Sequence, residues 1–363
     1  MTSPLCPYFG RCGGCTLQHL EYAQQLEQKK KQLQKLIDFP ELKIFSDQPF
    51  HYRNRLDFLF GAKGLGLREK EHPAKILPIE NCPLAEEKIN QILKEVQQNL
   101  KPEEKKTYKY AVIRTNTSEE TALSFVLNSD SSEKEAALER IKKFVQKTSA
   151  DNILVTYLPA ESDDSLGEEY LVLKGHDYLQ EEFAGKKIHY ALQGFFQNNS
   201  NLAEKMLIYS QELLKKYSTE EAELLDLYGG VGTFGIINAK KFRQVTIIES
   251  VPAAIKYAQE NIKLNQAKNA NAFVLDAQKL NKLKFSYPLF VITDPPRSGM
   301  SEKTIIQLKT LQPEVIIYIS CNPQQLAKDI QKFKRYQLKS LALFDLFPQT
   351  NHFEVIAELQ LQN

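Results

Sequence analysis

The chain has 363 residues, 42% of them hydrophobic, enough to bury two cores and therefore expected to form two domains. Lysine and arginine number 47 against 45 aspartates and glutamates, a formal net charge of +2, so a nucleic-acid partner would have to be held by a local basic face. No apolar run approaches the roughly 20 residues of a membrane span and no signal-peptide pattern opens the chain, which points to a cytoplasmic protein whose cysteines stay reduced for metal binding or catalysis.

Three of the five cysteines open the chain, in Cys6-Pro7-Tyr8-Phe9-Gly10-Arg11-Cys12-Gly13-Gly14-Cys15. Glycines loosen this loop, so its thiolates can converge on one centre, with Cys82 of Asn81-Cys82-Pro83 as the fourth ligand. Four thiolates suit an iron–sulfur cluster or zinc. The spacing is not the paired C-x2-C of a zinc ribbon, and the Cys-Pro pairs favour iron–sulfur. Three unrelated thiols would be the bland alternative.

Residues 17–37 predict a long amphipathic helix with Leu20, Leu26, Leu33, Leu36 and Ile37 on or near one stripe, and with Lys29-Lys30-Lys31 as a solvated face. The strip His51-Tyr52-Arg53-Asn54-Arg55-Leu56-Asp57-Phe58 alternates as a strand does. It could hold RNA by stacking and charge, although an ordinary exposed strand has the same pattern. Short β-runs around Val112, Phe125, Val155 and Val172, with a helix over residues 133–147 among them, predict a mixed α+β domain.

A second domain is expected from residue 188, giving units 1–187 and 188–363, with the 17–37 helix docking on the second. Gly194-Phe195-Phe196-Gln197-Asn198-Asn199 precedes a helix, and the run Leu224-Leu225-Asp226-Leu227-Tyr228 turns through Gly229-Gly230-Val231-Gly232-Thr233-Phe234-Gly235 into another. Further apolar strands end in Glu249, Asp276 and Asp294, the pattern of a doubly wound nucleotide-cofactor fold. The G-x-G-x-x-G match permits a dinucleotide, with Glu249 on a ribose, but that motif alone is weak. Asp226, so close to the glycines, opposes a pyrophosphate and suits the cationic amino-acid end and sulfonium of S-adenosylmethionine. Asp276 is placed to accept from an adenine amino group.

Pro313-Glu314-Val315-Ile316-Ile317-Tyr318-Ile319 reads as a buried parallel strand, putting Ser320-Cys321-Asn322-Pro323 just past its carboxyl end, where open α/β sheets place their chemistry. A lone thiol there is a nucleophile or inert core. Near the carboxyl terminus, Asp345-Leu346-Phe347-Pro348-Gln349-Thr350-Asn351-His352-Phe353-Glu354 enters a last strand, expected as part of an antiparallel hairpin. Methylation of carbon 5 of uracil needs a thiolate to add at carbon 6 and a carboxylate to take the carbon-5 proton afterwards. Cys321 and Glu354 supply that pair. Without such chemistry Glu354 would be a surface carboxylate, and His352 reads as structural or orienting.

Cys-x5-Cys-x2-Cys, Phe-Phe-Gln-x-Asn, Asp-x-Tyr-Gly-Gly-x-Gly, Asp-Pro-Pro-Arg, Ser-Cys-Asn-Pro and Phe-Pro-x-Thr-x-His-x-Glu occur here in one order. Together they resemble the RNA uracil-5-methyltransferase family over nearly the whole chain. The resemblance implies a Rossmann-like catalytic domain joined to a smaller α+β domain with a 4Fe-4S cluster on Cys6, Cys12, Cys15 and Cys82. It implies Cys321 as nucleophile, Glu354 as proton acceptor, and Gln197, Tyr228, Glu249, Asp294 and, less directly, Thr233 as cofactor contacts, with Phe195 close to a flipped uracil. It further implies that the chain lacks the N-terminal β-barrel RNA-binding domain of many members and that the target is a uridine of 23S rRNA. A tRNA T-loop uridine is the alternative, and a monomer is expected. A non-catalytic iron–sulfur RNA-binding module and an NAD-dependent oxidoreductase are the rivals from other classes.

Overall fold

The computed structural model describes residues 2–100 and 107–362. The cysteine loop leads into α1 (Tyr22–Leu36) and β1 (Lys43–Phe45). A first domain follows: β2 (Arg55–Gly61), β3 (Gly64–Arg68), β4 (Ile76–Pro78), α2 (Glu87–Asn99), β5 (Tyr108–Thr115), β6 (Thr121–Asn128), α3 (Lys134–Val145), β7 (Asn152–Leu158) and β8 (Tyr170–Lys174). The hairpin β9 (Tyr178–Phe183) and β10 (Lys186–Ala191) connects it to α4 (Ser200–Leu214), β11 (Glu223–Leu227), α5 (Thr233–Asn238), β12 (Gln244–Glu249), α6 (Pro252–Leu264) and β13 (Ala270–Val274). The chain ends with β14 (Leu289–Thr293), α7 (Glu302–Leu311), β15 (Val315–Ser320), α8 (Pro323–Ile330), β16 (Tyr336–Phe344) and β17 (Glu354–Leu361).

Among the described residues one sheet runs β4-β3-β2-β5-β6-β7-β8, antiparallel except at β6–β7. α2 and α3 cover it through Ile89, Leu93, Ile141 and Phe144. The larger sheet runs β1-β16-β17-β15-β14-β11-β12-β13, parallel except that β17 is antiparallel to both neighbours. Every residue of β11, β14 and β15 is buried, which explains their unbroken apolar runs: helices cover both faces. α4, α5 and α6 pack on one core, α7 and α8 on the other. β11 pairs with β12 on one side and β14 on the other, so strand order reverses there and opens a crevice at the carboxyl ends.

The beginning of the chain crosses the expected boundary near residue 187. β1 is the parallel edge strand beside β16, with Phe45 stacked on Phe344 at 4.5 Å, and Leu33 of α1 and Ile37 just after it share the α7–α8 core. The expected helix over 17–37 starts instead at Tyr22, because Glu21 and Gln24 close a capping box there. Leu17 lies outside the helix and donates its backbone N–H to Gln349 O. Lys29, expected on a solvated face, is fully buried against Asp345.

Candidate active site

The glycine turn is shaped by two contacts. Gly232 caps α5 with φ +84°, a left-handed backbone that glycine adopts freely, and a Cβ on Gly235 would lie 2.8 Å from Ile247 and 3.0 Å from Asp226 Oδ2. Asp226 differs from expectation. It is 2% exposed, inside β11 rather than at its end, and accepts the Gly235 N–H at 2.7 Å, so it braces the turn from below instead of facing a ligand. Tyr228 takes φ +60° between strand and turn, a costly conformation for a non-glycine residue that belongs at a functional bend. Thr233 opens α5.

Glu249 closes β12, accepting the N–H groups of Ser250, Val251 and Gly230. Asp276 accepts from Gln278 N just beyond β13, and Asp294 follows β14. Gln197 is held by its backbone: Asn54 of the first domain donates to Gln197 O at 3.0 Å and to Ser200 Oγ at 2.8 Å, while Arg114 donates to Gly194 O at 2.6 Å. Phe196 is buried and stacks on Tyr190 at 3.8 Å, leaving Phe195 74% exposed at the domain junction.

Cys321 stands at the end of β15, half-buried, before α8, which Asn322 caps by accepting from Gln325 N, with Pro323 in its first turn. Asn322 also donates to Arg297 O at 3.0 Å, tying the thiol's strand to the Asp294-Pro295-Pro296-Arg297 loop. Met300 N in turn donates to buried Asp329, which accepts Tyr318 Oη at 2.7 Å. Glu354 begins β17 and is buried. A cavity of about 240 Å3 is lined by Cys321, Arg297, Gln32, Asn351, His352 and Phe353 among others. His352 donates its backbone N–H to Thr350 Oγ1 and sets its ring edge-on to Phe347.

These strand ends carry strongly perturbed acids. Burial pushes Asp294 up to about 7, and burial reinforced by Asp294 and Glu249 pushes Asp226 up to about 7. Burial first and then Asp294 hold the Glu354 carboxyl well above its usual range, with Arg297 pulling it back. Burial, then Glu354 and Asp294, push the Cys321 thiol up to about 11, again against Arg297. So many carboxyls crowded together call for a cation between them, as a sulfonium cofactor supplies and a pyrophosphate does not. Arg297 is the group that sequence reasoning passed over; the Asp-Pro-Pro-Arg motif contained it, but only its place in the cavity of Cys321 shows that it opposes the shifts of both thiol and carboxyl.

The four remaining cysteines line one cavity of about 540 Å3 with Tyr8, Phe9, Arg53, Arg68 and Phe195. Gln18 bridges two of them, donating to Cys15 Sγ at 3.2 Å and accepting Cys6 N at 3.0 Å; Cys82 N donates to Asn90 Oδ1. Burial pushes the Cys12 and Cys82 thiols up and that of Cys15 up to about 12, each raised further by neighbouring cysteines. The expected metal centre is nonetheless not preformed: among the described residues no group of three or more His, Cys, Asp or Glu side chains is arranged to hold a metal ion. Thiols that repel one another as they ionise have no reason to close up without a cation. In the 51–58 strip, Tyr52 and Phe58 are buried, and Arg55 is paired with Asp57 at 2.7 Å, so stacking from these aromatics is closed off.

A family model described as tRNA (Uracil-5-)-methyltransferase matches residues 21–361. An "Uncharacterized RNA methyltransferase" of Caldanaerobacter subterraneus subsp. tengcongensis is 34% identical, covering 98% of this chain and 84% of that protein. A tRNA (uracil(54)-C(5))-methyltransferase of Pyrococcus abyssi is 32% identical, covering 98% and 85%. The crystal structure of a tRNA (uracil-54, C5)-methyltransferase from Pyrococcus abyssi, in complex with S-adenosyl-L-homocysteine, superposes with a TM-score of 0.80 at 29% identity, covering 96% of this chain and 86% of that one. The fold is thus a mixed α/β, Rossmann-like methyltransferase fold. Among the described residues no helix is long and apolar enough to cross a membrane.

Proposed function

The chain belongs to the tRNA (uracil-5-)-methyltransferase family and is an S-adenosylmethionine-dependent RNA (uracil-5-)-methyltransferase, and on that premise we propose that its substrate is a tRNA uridine corresponding to uracil 54 of its relatives. The observation that carries this choice is the near full-length similarity to enzymes named for that nucleotide. Nothing in the similarities supports the 23S rRNA expectation, which rested on the cysteine set.

In this mechanism a tRNA uridine unstacks into the cavity beside Cys321. Cys321 thiolate adds to carbon 6, and the resulting enolate attacks through carbon 5, taking the methyl group from the sulfonium and leaving S-adenosylhomocysteine. Glu354 carboxylate then removes the carbon-5 proton, the carbon 5–carbon 6 double bond re-forms, and the carbon 6–sulfur bond breaks to return the thiolate. Gln197, Tyr228, Thr233, Glu249, Asp276 and Asp294 hold the cofactor. When bound, its positive charge near Asp294 would offset the burial and repulsion that hold the Cys321 thiol and the Glu354 carboxyl in their neutral forms.

Residues 1–187, apart from α1 and β1, which pack into the larger sheet and its core, serve as the RNA-docking unit, and residues 188–363 as the catalytic one. Cys6, Cys12, Cys15 and Cys82 would hold a 4Fe-4S cluster. Their shared cavity and mutual repulsion fit a cationic iron core, which would cross-link the loop that faces the RNA; methyl transfer itself requires no electron.

The test is methyl transfer from labelled S-adenosylmethionine to unmodified tRNA and, separately, to unmodified 23S rRNA, with nucleoside analysis of each. Label as 5-methyluridine in tRNA alone is expected; label in 23S rRNA alone overturns the substrate.

A further inference from the structure

The connection from Asp345 to Phe353 is irregular, yet it leads directly into Glu354 and lines the cavity of Cys321. One face of α1 holds it. Lys29 Nζ lies 2.5 Å from Asp345 Oδ1 and donates to Phe347 O at 3.1 Å. One turn earlier, Gln25 and Gln349 bond reciprocally: Gln25 Nε2 donates to Gln349 Oε1 at 2.9 Å, and Gln349 N donates to Gln25 Oε1 at 3.0 Å. Gln349 is itself at φ +68°, with its carbonyl taken by the N–H groups of Thr16 and Leu17. Tyr52 Oη donates to Pro348 O at 3.0 Å.

Stability alone does not explain this arrangement. The Lys29 and Asp345 side chains are 1% and 0% exposed, and desolvating both charges costs more than apolar residues of similar size would. Burial outweighs their mutual attraction on each side, lowering Lys29 and raising Asp345 from their ordinary values, with the buried Tyr22 hydroxyl as the further polar group facing Asp345. What a buried charged pair supplies that a methionine and a leucine do not is direction. Lys29 grips a side chain and a backbone carbonyl two residues apart and so fixes the path of a segment with no ladder of its own.

We propose that Lys29, backed by Gln25, is a positioning residue for proton abstraction, its grip on the 345–353 connection aiming the Glu354 carboxylate at carbon 5 of the adduct. The inference deepens the proposed function and rests on its assignment of Glu354 as base. Loosening the grip slows the last step, in which the proton goes to Glu354, the double bond re-forms and Cys321 departs. Addition and methyl transfer, which depend on β15 and the glycine turn as well as on the cavity this connection lines, are slowed less. The signature is an accumulated methylated covalent adduct.

The experiment uses the full-length protein with Lys29→Met combined with Asp345→Leu, which leaves no unpaired buried charge. Glu354→Gln is run in parallel. Each is mixed with labelled S-adenosylmethionine and substrate RNA, resolved under denaturing conditions and melted separately. The double variant is expected to melt cooperatively, to turn over on the order of 100-fold more slowly, and to accumulate labelled protein–RNA complex. Adduct with Glu354→Gln but none with the double variant overturns the role of Lys29 and leaves the base assignment standing. Adduct with neither overturns the base assignment and this inference with it. If the double variant does not fold, Gln25→Ala, which removes the Gln349 bond and uncovers no charge, is read by the same criterion.

Discussion

Ser320 of β15 lies opposite Val355 of β17 in antiparallel register, so Cys321, just past the end of one strand, comes opposite Glu354, the first residue of the other, which pairs with Phe344 of β16 on its far side. Sheet pairing thus sets the spacing of the two backbones, while the aim of the Glu354 side chain is left to the connection that leads into it. Replacing Cys321 by Ala removes a half-buried thiol at a strand end and touches no core packing, so the variant should melt near the parent. It should form no covalent RNA complex, and turnover should fall at least on the order of 1000-fold in single-turnover transfer of labelled methyl.

The acids at the strand ends make cofactor affinity depend on pH. Burial pushes the Asp226 and Asp294 carboxyls up to about 7, against about 4 in an unfolded chain. Between these values the folded protein holds more protons, so the stability of the cofactor-free form falls as pH rises through that window. A cationic ligand binds the ionised site better, so its affinity should rise between about pH 6 and pH 8. Calorimetry with sinefungin, which has an ammonium in place of the sulfonium, should show this rise. S-adenosylhomocysteine, neutral at sulfur, should show much less of it.

The same charge acts on the nucleophile. Cys321 is pushed up to about 11 by burial and by Glu354 and Asp294, so the free enzyme holds little thiolate at neutral pH. A cation seated among those carboxyls lowers that value. Alkylation of Cys321 by iodoacetamide, followed by peptide mass spectrometry, should be faster at pH 8 with sinefungin bound than with S-adenosylhomocysteine bound. The two ligands have similar shapes, so shielding cannot produce the difference. Equal rates would remove the cofactor from the activation of the thiol.

Much of this site is local in the sequence, and that part was legible. Buried parallel strands are continuous apolar runs, so Val315, Ile316 and Ile317 announce where Cys321 emerges, and the strand ends at Glu249 and Asp294 are read the same way. What was not legible depends on partners far along the chain. Lys29 sits in a lysine run that reads as a wet helix face; its burial is decided by Asp345, 316 residues away. Tyr52 and Phe58 have the alternation of an exposed strand, but Pro348 and the α2 core claim them. Asp226 looks like a strand end because the glycines follow it, yet it is the buried brace of those glycines.

That brace yields a prediction about the turn. Gly235 donates to Asp226 and leaves no room for a methyl group, which would meet Ile247 at 2.8 Å and Asp226 Oδ2 at 3.0 Å. Gly235→Ala should cost about 1–3 kcal/mol of stability by overpacking. It should also weaken cofactor binding, because the turn must move away from β12. Denaturant titration and calorimetry with S-adenosylhomocysteine measure the two effects. An unchanged cofactor affinity would separate the turn from the binding crevice.

The cysteine cavity is tested by its contents and by what they hold in place. Anaerobically purified protein should contain iron and sulfide, and Cys12→Ser or Cys82→Ser should lose both and melt earlier. The cavity also contains Arg53, Arg68 and Phe195, on the side where the first domain meets the Gln197 segment. The cofactor turn lies at the carboxyl ends of the other sheet. Loss of the cluster should therefore weaken tRNA binding in a filter assay more than it weakens S-adenosylhomocysteine binding by calorimetry. Equal losses would point to general unfolding, and a colourless preparation carrying zinc would replace the cluster by a single ion.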